Sequence, residues 1–478
     1  MILLTGATGY IGGLLLSKLE ERGHHVRCLA RRPDRLRSRV RPGTEIVAGD
    51  CLDEEALDRA MSGVDLAFYL VHSMGGTASF EDVDREAARR FAAAAARAGV
   101  RRIIYLGGLG EGGDTLSPHL RSRRETGAAL RSAGVAVVEL RCSIVIGAGS
   151  LSFEMVRALV ERLPVMICPR WVAVKAQPIA VEDVLAYLVE AAEDEDPGSR
   201  VCEIGGPDVV SYGDIMREYA RQRGLRRHLI PVPLLTPKLS SLWLRLVTPL
   251  YAHVGRWLIE GMRNRTVVVD GEPARRYAVK PRGLKQAVEE AIGQRSERVE
   301  ALLAECGGPN GSEALASLRA SGCLVDSREM TAPVEPGRAF APVRRIGGRN
   351  GWYYGNVLWR CRGWLDRAVG GIGLRSGRRD PESCAVGDTV DFWRVVAFEA
   401  DRRLTLRAEM KVPGRAWLQF DVLPGAGGTA RVRQTALFDP KGVLGLLYWT
   451  SLLPAHGFIF QGMLRELVAR AATPGVVS

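Results

Sequence analysis

The feature that most constrains this chain is an alternation that runs through its first 145 residues. Short apolar runs (MILLTG, HHVRCLA, EIVAGD, DLAFYLVH, RRIIYLGG and AVVELRCSIV) take turns with IGGLLLSKLEERG, DEEALDRAMS, FEDVDREAARRFAAAAARAG and SPHLRSRRETGAALRSAG. The first set is short and almost continuously apolar, as strands buried on both faces are. The second set carries apolar residues at helical spacing. Strands alternating with helices predict βαβ units, hence an α/β fold with a doubly wound parallel sheet and helices on both faces.

At 478 residues the chain is too long for one typical core, so two or three domains are expected. Mixed elements continue through 151–295 and run into the helix GLKQAVEEAIGQRSERVEALLAE. The turn-rich patch CGGPNGSEA (306–314) then breaks the pattern. The expected division is an α/β domain with a small C-terminal lobe over 1–295, a helix end and linker over 296–322, and an α+β domain over 323–472. In that last part Trp and Gly become frequent. DTVDFWRVVAFEA, RRLTLRAEM, AWLQFDVLP and TARVRQTALFD read as strands between turn signals, and FIFQGMLRELVARA closes as an amphipathic helix.

The loop TGATGYIGG follows the first strand at once and opens a helix. Gly6, Gly9 and Gly12 form G-x-x-G-x-x-G, a variant of the dinucleotide fingerprint. Backbone here must turn sharply, approach a pyrophosphate closely and present helix N-terminal N–H groups to its charge. Thr8, Tyr10 and Ile11 complete the loop. At the tip of the second strand stand Arg31 and Arg32, where Asp or Glu would suit a ribose 2′-hydroxyl and Arg suits a 2′-phosphate. NADP(H) is therefore expected in preference to NAD(H). Asp50, with Cys51 and Leu52, follows the third strand, where a carboxylate can accept from the adenine amino group.

Net charge is +12, carried by 59 Arg and only 7 Lys among 66 basic residues spread along the chain. A nucleic-acid-binding protein would gather its charge on one face, so no nucleic-acid partner is expected. Nine scattered cysteines, never spaced C-x-x-C, suit reduced thiols better than a disulfide framework or zinc site. With no secretory signal at the start, a cytoplasmic location is expected, membrane association being left open. Two stretches raise that question. Residues 229–261 are broken by four prolines, and 442–460 run 19 residues without formal charge but contain Pro454 and His456. The second reads as a buried or ligand-facing segment rather than a membrane span, and peripheral membrane contact through either stretch stays open.

Taken together, TGATGYIGG, ARRPDRL, GDCLDEEAL, YLVHSMG, IIYLGGLG and QPIAVEDVLAYL resemble an atypical short-chain dehydrogenase/reductase of the NmrA-like or extended type, over roughly 1–295. The resemblance implies a Rossmann domain binding NAD(P)(H), with Val71, His72 and Ser73, Gly107, Gly108 and Leu109, and Ser143 and Ile144 lining the cofactor. It also implies a catalytic Ser after the fifth strand and Tyr-x-x-x-Lys on the next helix. Here the Ser position is Gly107 or Gly108, His119 stands for Tyr and Arg123 for Lys. His119 can carry a proton near neutral pH, and Arg123 can bind ribose or phosphate and depress the His119 pKa. His119 is then the general acid, or both are ordinary polar residues of a basic helix.

Residues 323–472 resemble a START-like, helix-grip domain of the SRPBCC superfamily, which implies an apolar cavity and a small hydrophobic ligand or substrate. Trp352, Tyr353, Tyr354, Trp359, Trp364, Trp393, Trp417, Tyr448 and Trp449 either line that cavity or fill a solid core. Three functions fit. The first is an NADP(H)-dependent oxidoreductase acting on an apolar carbonyl, quinone or enone. The second is a non-catalytic NADP(H)-binding sensor, regulator or assembly factor. The third is a carrier of lipid-like ligands whose nucleotide domain is structural.

Overall fold

The computed structural model describes residues 1–37, 39–72, 80–110, 116–232, 261–308, 311–373 and 378–473. They form two compact units: Met1–Val160 with Val165–Arg295, and Ser296–Ser478 with Glu161–Pro164.

Unit 1 is built on a wholly parallel seven-stranded sheet. Its strands are β1 (Ile2–Thr5), β2 (Val26–Ala30), β3 (Glu45–Ala48), β4 (Leu66–Tyr69), β5 (Arg102–Gly108), β6 (Ala136–Cys142) and β7 (Arg200–Ile204). The spatial order is β3-β2-β1-β4-β5-β6-β7, so winding reverses between β1 and β4. The helices that matter for the site are α1 (Tyr10–Glu21), α2 (Glu54–Met61), α3 (Phe80–Arg97) and α4 (Pro118–Arg131). Six strands and four helices fall on the segments the apolar alternation marks, and the α/β fold is as expected.

The reason lies in the two-sided burial of the strands. Ile2 and Leu4 face one core, with Leu15, Leu16 and Leu19 of α1, while Leu3 faces the other with Leu57 and Phe91. In β5, Ile104 and Leu106 join the first core, and Ile103 and Tyr105 the second. Every position is apolar because both faces are covered. Ala88, Ala92 and Ala95 are fully buried, and their small side chains let α3 lie close on the sheet. Each buried Leu or Phe contributes about 1.5–3 kcal/mol of transfer free energy.

The start of helix α4 is fixed by its N-cap. The Ser117 hydroxyl accepts from the Leu120 amide at 3.3 Å, and Pro118 occupies the first helical turn, where no intrahelical donor is lost. This combination sets His119 one residue into the helix.

Three further helices, α5 (Leu151–Arg162), α6 (Val181–Glu193) and α7 (Tyr212–Gln222), precede α8 (Leu284–Glu305), whose first half belongs to unit 1 and second half to unit 2. Residues 296–322, expected as a helix end and linker, do more than connect. Val299 and Leu303 of α8, Leu318 of α9 (Gly311–Ala320) and Cys306 pack with Trp417 and Leu437 as a core on one face of the second sheet.

Unit 2 carries a six-stranded antiparallel sheet made of β8 (Leu324–Ala332), β9 (Thr389–Val390), β10 (Trp393–Glu399), β11 (Arg403–Ala408), β12 (Gly414–Pro424) and β13 (Ala430–Pro440), in the order β8-β13-β12-β11-β10-β9. Its helices are α10 (Pro336–Arg344), α11 (Asn356–Ala368) and α12 (Gly442–Ala472). On the face opposite the Trp417 core, Phe420, Val432 and Phe438 pack with Trp449, Phe460, Met463 and Leu464 of α12. Trp352, Trp359, Phe392 and Trp393 stack together in that core, with Trp352 and Trp359 centroids 4.7 Å apart. Most of the aromatic residues singled out from sequence are thus core residues, whereas Trp364 is 68% exposed.

Residues 442–460, expected to be buried or ligand-facing, lie on α12 with one face in the core and the other uncovered: Trp449 and Phe460 are buried, Leu444, Leu447 and Phe458 exposed. The helix is apolar all round, so composition could not say which face was inside. Most of the other stretch, 233–260, lies outside the described residues.

Candidate active site

A cavity of about 380 Å³ opens at the C-terminal ends of β1, β4, β5 and β6, where the strand order reverses. That is where open parallel sheets bind ligands, because no strand connection crosses there. Its floor is the loop after β1. Gly6 has φ +77°, and a Cβ there would stand 2.5 Å from the Leu70 carbonyl oxygen. A Cβ at Gly12 would stand 2.2 Å from the carbonyl oxygen of Gly6. The Gly9 amide donates to Gly6 at 2.8 Å and the Gly13 amide to Gly9 at 2.9 Å, turning the strand directly into α1. No side chain caps α1 at Gly9, and a helix N-terminus of this kind turns its first-turn amides towards an anion. The residues present fit a pyrophosphate: backbone donors on a loop that any Cβ would crowd.

Above the loop, three titratable groups from three elements meet. His72 follows β4, Asp84 lies on α3 and His119 on α4. His72 Nδ1 is 2.9 Å from Asp84 Oδ2, and His72 Nε2 is 3.2 Å from His119 Nδ1. The imidazole centroids are 4.9 Å apart. Asp84 is buried, and both histidines line the cavity. Burial, then the Arg123 guanidinium and His72, push the His119 pKa down to about 3, against the pull of Asp84. Burial also lowers His72, but its hydrogen bond to Asp84 works the other way.

Arg123 is held by its own neighbours. It donates to the Leu106 carbonyl, and its guanidinium lies 5.8 Å over the Tyr105 ring, while the Tyr105 hydroxyl donates to the Arg123 carbonyl at 2.9 Å. A Cβ at Gly108 would stand 2.9 Å from Leu120 Cδ2 and 3.5 Å from Arg123 Cδ. Of the two positions that the resemblance assigns to serine, a side chain at Gly108 would crowd Leu120 of α4, and a Cβ at Gly107 would meet Glu139 Oε1 at 3.1 Å. The far wall holds hydroxyls: Ser143 Oγ and Thr266 Oγ1 are 2.6 Å apart, and burial pushes Tyr212 up to about 12 against its hydrogen bond with Thr266.

Of the residues expected from sequence, Gly6, Gly9, Tyr10, Ile11, Gly12, Val71, His72, Gly107, Gly108, His119, Arg123, Ser143 and Ile144 line this cavity. Thr8, Arg31, Arg32, Asp50, Cys51 and Leu52 do not. Arg31 is 81% exposed in its side chain, with Nε 3.8 Å from Asp50 Oδ2. Asp50 also accepts from the Leu52 amide at 3.0 Å, and the Leu52 carbonyl accepts from Arg90 at 2.7 Å. The Cys51 side chain belongs to the core, where burial pushes its thiol up to about 12. Ser73 lies outside the described residues. Sequence reasoning missed Asp84, Tyr212 and Thr266. Asp84 sits among other acidic residues opening a helix, a pattern that marks helix starts generally.

A parallel sheet wound in this order, with a glycine turn at its switch point, defines a nucleotide-binding domain of the Rossmann type. Residues 6–143 match the family described as NAD(P)H-binding, and residues 321–463 match the family described as "Protein of unknown function (DUF2867)". Over 232 residues the chain is 33% identical to the (4-alkanoyl-5-oxo-2,5-dihydrofuran-3-yl)methyl phosphate reductase of Streptomyces griseus subsp. griseus, covering 47% of this chain and 74% of that protein. It is 29% identical over 240 residues to the ceramide reductase of Caulobacter vibrioides, covering 49% and 74%. The triphenylmethane reductase of Citrobacter sp. shares the fold, with a TM-score of 0.51 at 16% identity over 61% of this chain and 99% of that one. The chain belongs to the NAD(P)H-binding, short-chain-dehydrogenase-like reductases.

Proposed function

We propose that this protein is an NADPH-dependent reductase of an apolar carbonyl, quinone or enone, and that Asp84, His72 and His119 conduct the proton the reaction needs. The observation that carries this reading is the continuous Asp84–His72–His119 contact ending in the cavity. When bound, the cofactor supplies a hydride to an electrophilic substrate carbon. The backbone amides at the start of α1 hold its pyrophosphate, and Arg123, Ser143 and Thr266 offer polar contacts beside it. Arg31 and Arg32, exposed at the end of β2, take a 2′-phosphate as the NADPH preference requires.

His119, held near 3, cannot store a proton at neutral pH by itself. His72 is the better store of the two, because its hydrogen bond to Asp84 works against the lowering that burial imposes. In the proton-carrying state His72 is an imidazolium, donating through Nδ1 to Asp84 and through Nε2 to His119 Nδ1. His119 Nε2 then carries a hydrogen towards the cavity. As Nε2 releases that proton to a substrate oxygen, Nδ1 takes the one from His72 Nε2, and both rings end neutral. General acid catalysis of this kind contributes about 10²–10⁴-fold. Apolar walls from Ile11, Leu70, Leu109, Ile144 and Met262 favour a hydrophobic substrate. A relative named ceramide reductase supports that choice, and the one named (4-alkanoyl-5-oxo-2,5-dihydrofuran-3-yl)methyl phosphate reductase pairs an alkanoyl group with a phosphate.

Unit 2 supports the same reading if its sheet and long helix are a helix-grip arrangement that receives the apolar substrate. Both amide atoms of Gln434 and Nδ1 of His456 are buried there without a hydrogen-bond partner among the described residues, which suits a bound polar group. The second reading, a cofactor-binding sensor, draws on glycine standing at both candidate serine positions, Gly107 and Gly108.

NADPH oxidation against quinones, enones and hydrophobic aldehydes tests the choice. Turnover that falls at least about 100-fold in both His119→Ala and His72→Ala, with NADPH affinity kept, supports the reductase. Turnover untouched by either variant removes the relay, and tight NADPH binding without turnover across the panel favours the sensor.

A further inference from the structure

Helix α11 has a buried face and an apolar face that no described residue covers. At about 100° per residue, Trp359, Gly363 and Asp366 point one way into unit 2. Val357, Leu358, Trp364, Leu365 and Val369 share the opposite side and are 44–69% exposed. Arg360 and Arg362 flank this stripe, one on each edge. Asp366, the helix's carboxylate, is fully buried and accepts from the Lys411 amide and, at 2.9 Å, from the Gly373 amide.

The first half of α12 repeats the pattern. Leu444, Leu447, Ser451, Pro454 and Phe458 follow each other at helical spacing on its uncovered side, with Leu444 73% exposed. The two helices meet at a few points, in antiparallel sense. Tyr354, just before α11, meets the Phe458 ring at 5.1 Å, a Cβ at Gly355 would reach Ile459 Cγ1 at 3.6 Å, and Arg362 lies 6.0 Å over the Tyr448 ring. These contacts place the two exposed apolar stripes on neighbouring elements of unit 2. No Asp or Glu occurs from Gly442 to Gln461, and Lys441 precedes the helix.

We propose that this face of unit 2 docks on the surface of an anionic lipid membrane, with Trp364, Leu365, Leu444, Leu447 and Phe458 entering the interface and Arg360, Arg362 and Lys441 meeting phosphate headgroups. An apolar stripe edged by cations and free of exposed carboxylates is what an in-plane interfacial helix presents. The helix lies on the membrane rather than crossing it. The opposite face of α12, with Trp449, Phe460, Met463 and Leu464, is already committed to the protein core, and a spanning helix would abandon that packing. This inference stands apart from the reductase reading, since it uses no residue of the nucleotide cleft.

Co-sedimentation of the full chain with vesicles of phosphatidylglycerol and phosphatidylcholine, against phosphatidylcholine alone, tests it. The expected result is binding to the anionic vesicles that weakens with salt and falls at least about tenfold in the double variant Trp364→Ser, Leu447→Ser. Both residues are exposed, so NADPH affinity and the circular dichroism spectrum serve to show the variant folded. Arg360→Glu should weaken binding to anionic vesicles about severalfold. Absence of binding by the unaltered protein overturns the proposal, as does binding that the folded double variant retains. A dimer by sedimentation equilibrium that the double variant abolishes, without vesicle binding, assigns the face to a second copy instead.

Discussion

His72 Nε2 lies 3.2 Å from His119 Nδ1 while His72 Nδ1 lies 2.9 Å from Asp84, so one imidazole joins a buried carboxylate to a second imidazole on the cavity wall. A depressed His119 is a poor acid alone but a good conductor, because a neutral ring can receive a proton at one nitrogen and release one at the other.

The relay predicts the pH profile. Reduction needs the proton on His72, whose pKa lies below its ordinary 6.5. The rate should be full below that value and fall as pH rises through it. Asp84→Asn removes a group that raises the His72 pKa, so the descending limb should move to lower pH with little change in NADPH affinity. A kcat/KM profile measured for both proteins checks this, and an unmoved limb would exclude Asp84 from the relay.

Stability should depend on pH in the opposite sense. His119 titrates near 6.5 when unfolded and about 3 when folded, so between these values the unfolded chain binds more protons. The stability this contributes is full above about 6.5 and is lost as pH falls towards about 3. Melting temperatures of His119→Gln across that range should fall less steeply than those of the unaltered protein.

Gly6→Ala should disable the nucleotide loop. It combines a φ of +77° with a Cβ 2.5 Å from the Leu70 carbonyl oxygen, which cannot move aside without shifting β4. A cost of about 1–3 kcal/mol in stability and a loss of at least about tenfold in NADPH affinity are expected. Calorimetric titration and thermal melting measure both.

Arg31→Ala with Arg32→Ala should lower the NADPH-to-NADH affinity ratio by about 10–100-fold if their guanidinium groups hold the 2′-phosphate. Both dissociation constants must be measured, because only their ratio isolates the phosphate contact. An unchanged ratio removes the NADP preference.

In unit 2, Arg403 Nε donates to Asp421 at 2.7 Å with both side chains buried. Arg403→Ala would strand that carboxylate and should destabilise the unit by about 3–5 kcal/mol in urea melts, whereas NADPH binding should be unaffected.

The six strands from β1 to β6 and the glycine turn were legible because each is written locally: a strand covered on both faces must be apolar throughout, and a backbone turning under a pyrophosphate must lack Cβ. His119 and Arg123 were legible through their place on α4. β7 was not picked out, as its sequence, RVCEI, is half polar and became a strand by pairing with β6. Asp84 carried no local signal, since a carboxylate just behind Glu81 and Asp82 near the start of α3 looks like any helix start. What joined it to His72 and His119 is the packing of α3, α4 and the C-terminal end of β4, the central strand of the sheet. The same holds for the apolar face of α11 and α12. The sequence by itself determined that these helices are apolar, but which side of each meets the sheet, and which is left to solvent or lipid, depends on contacts between residues far apart in the chain, which local periodicity does not encode.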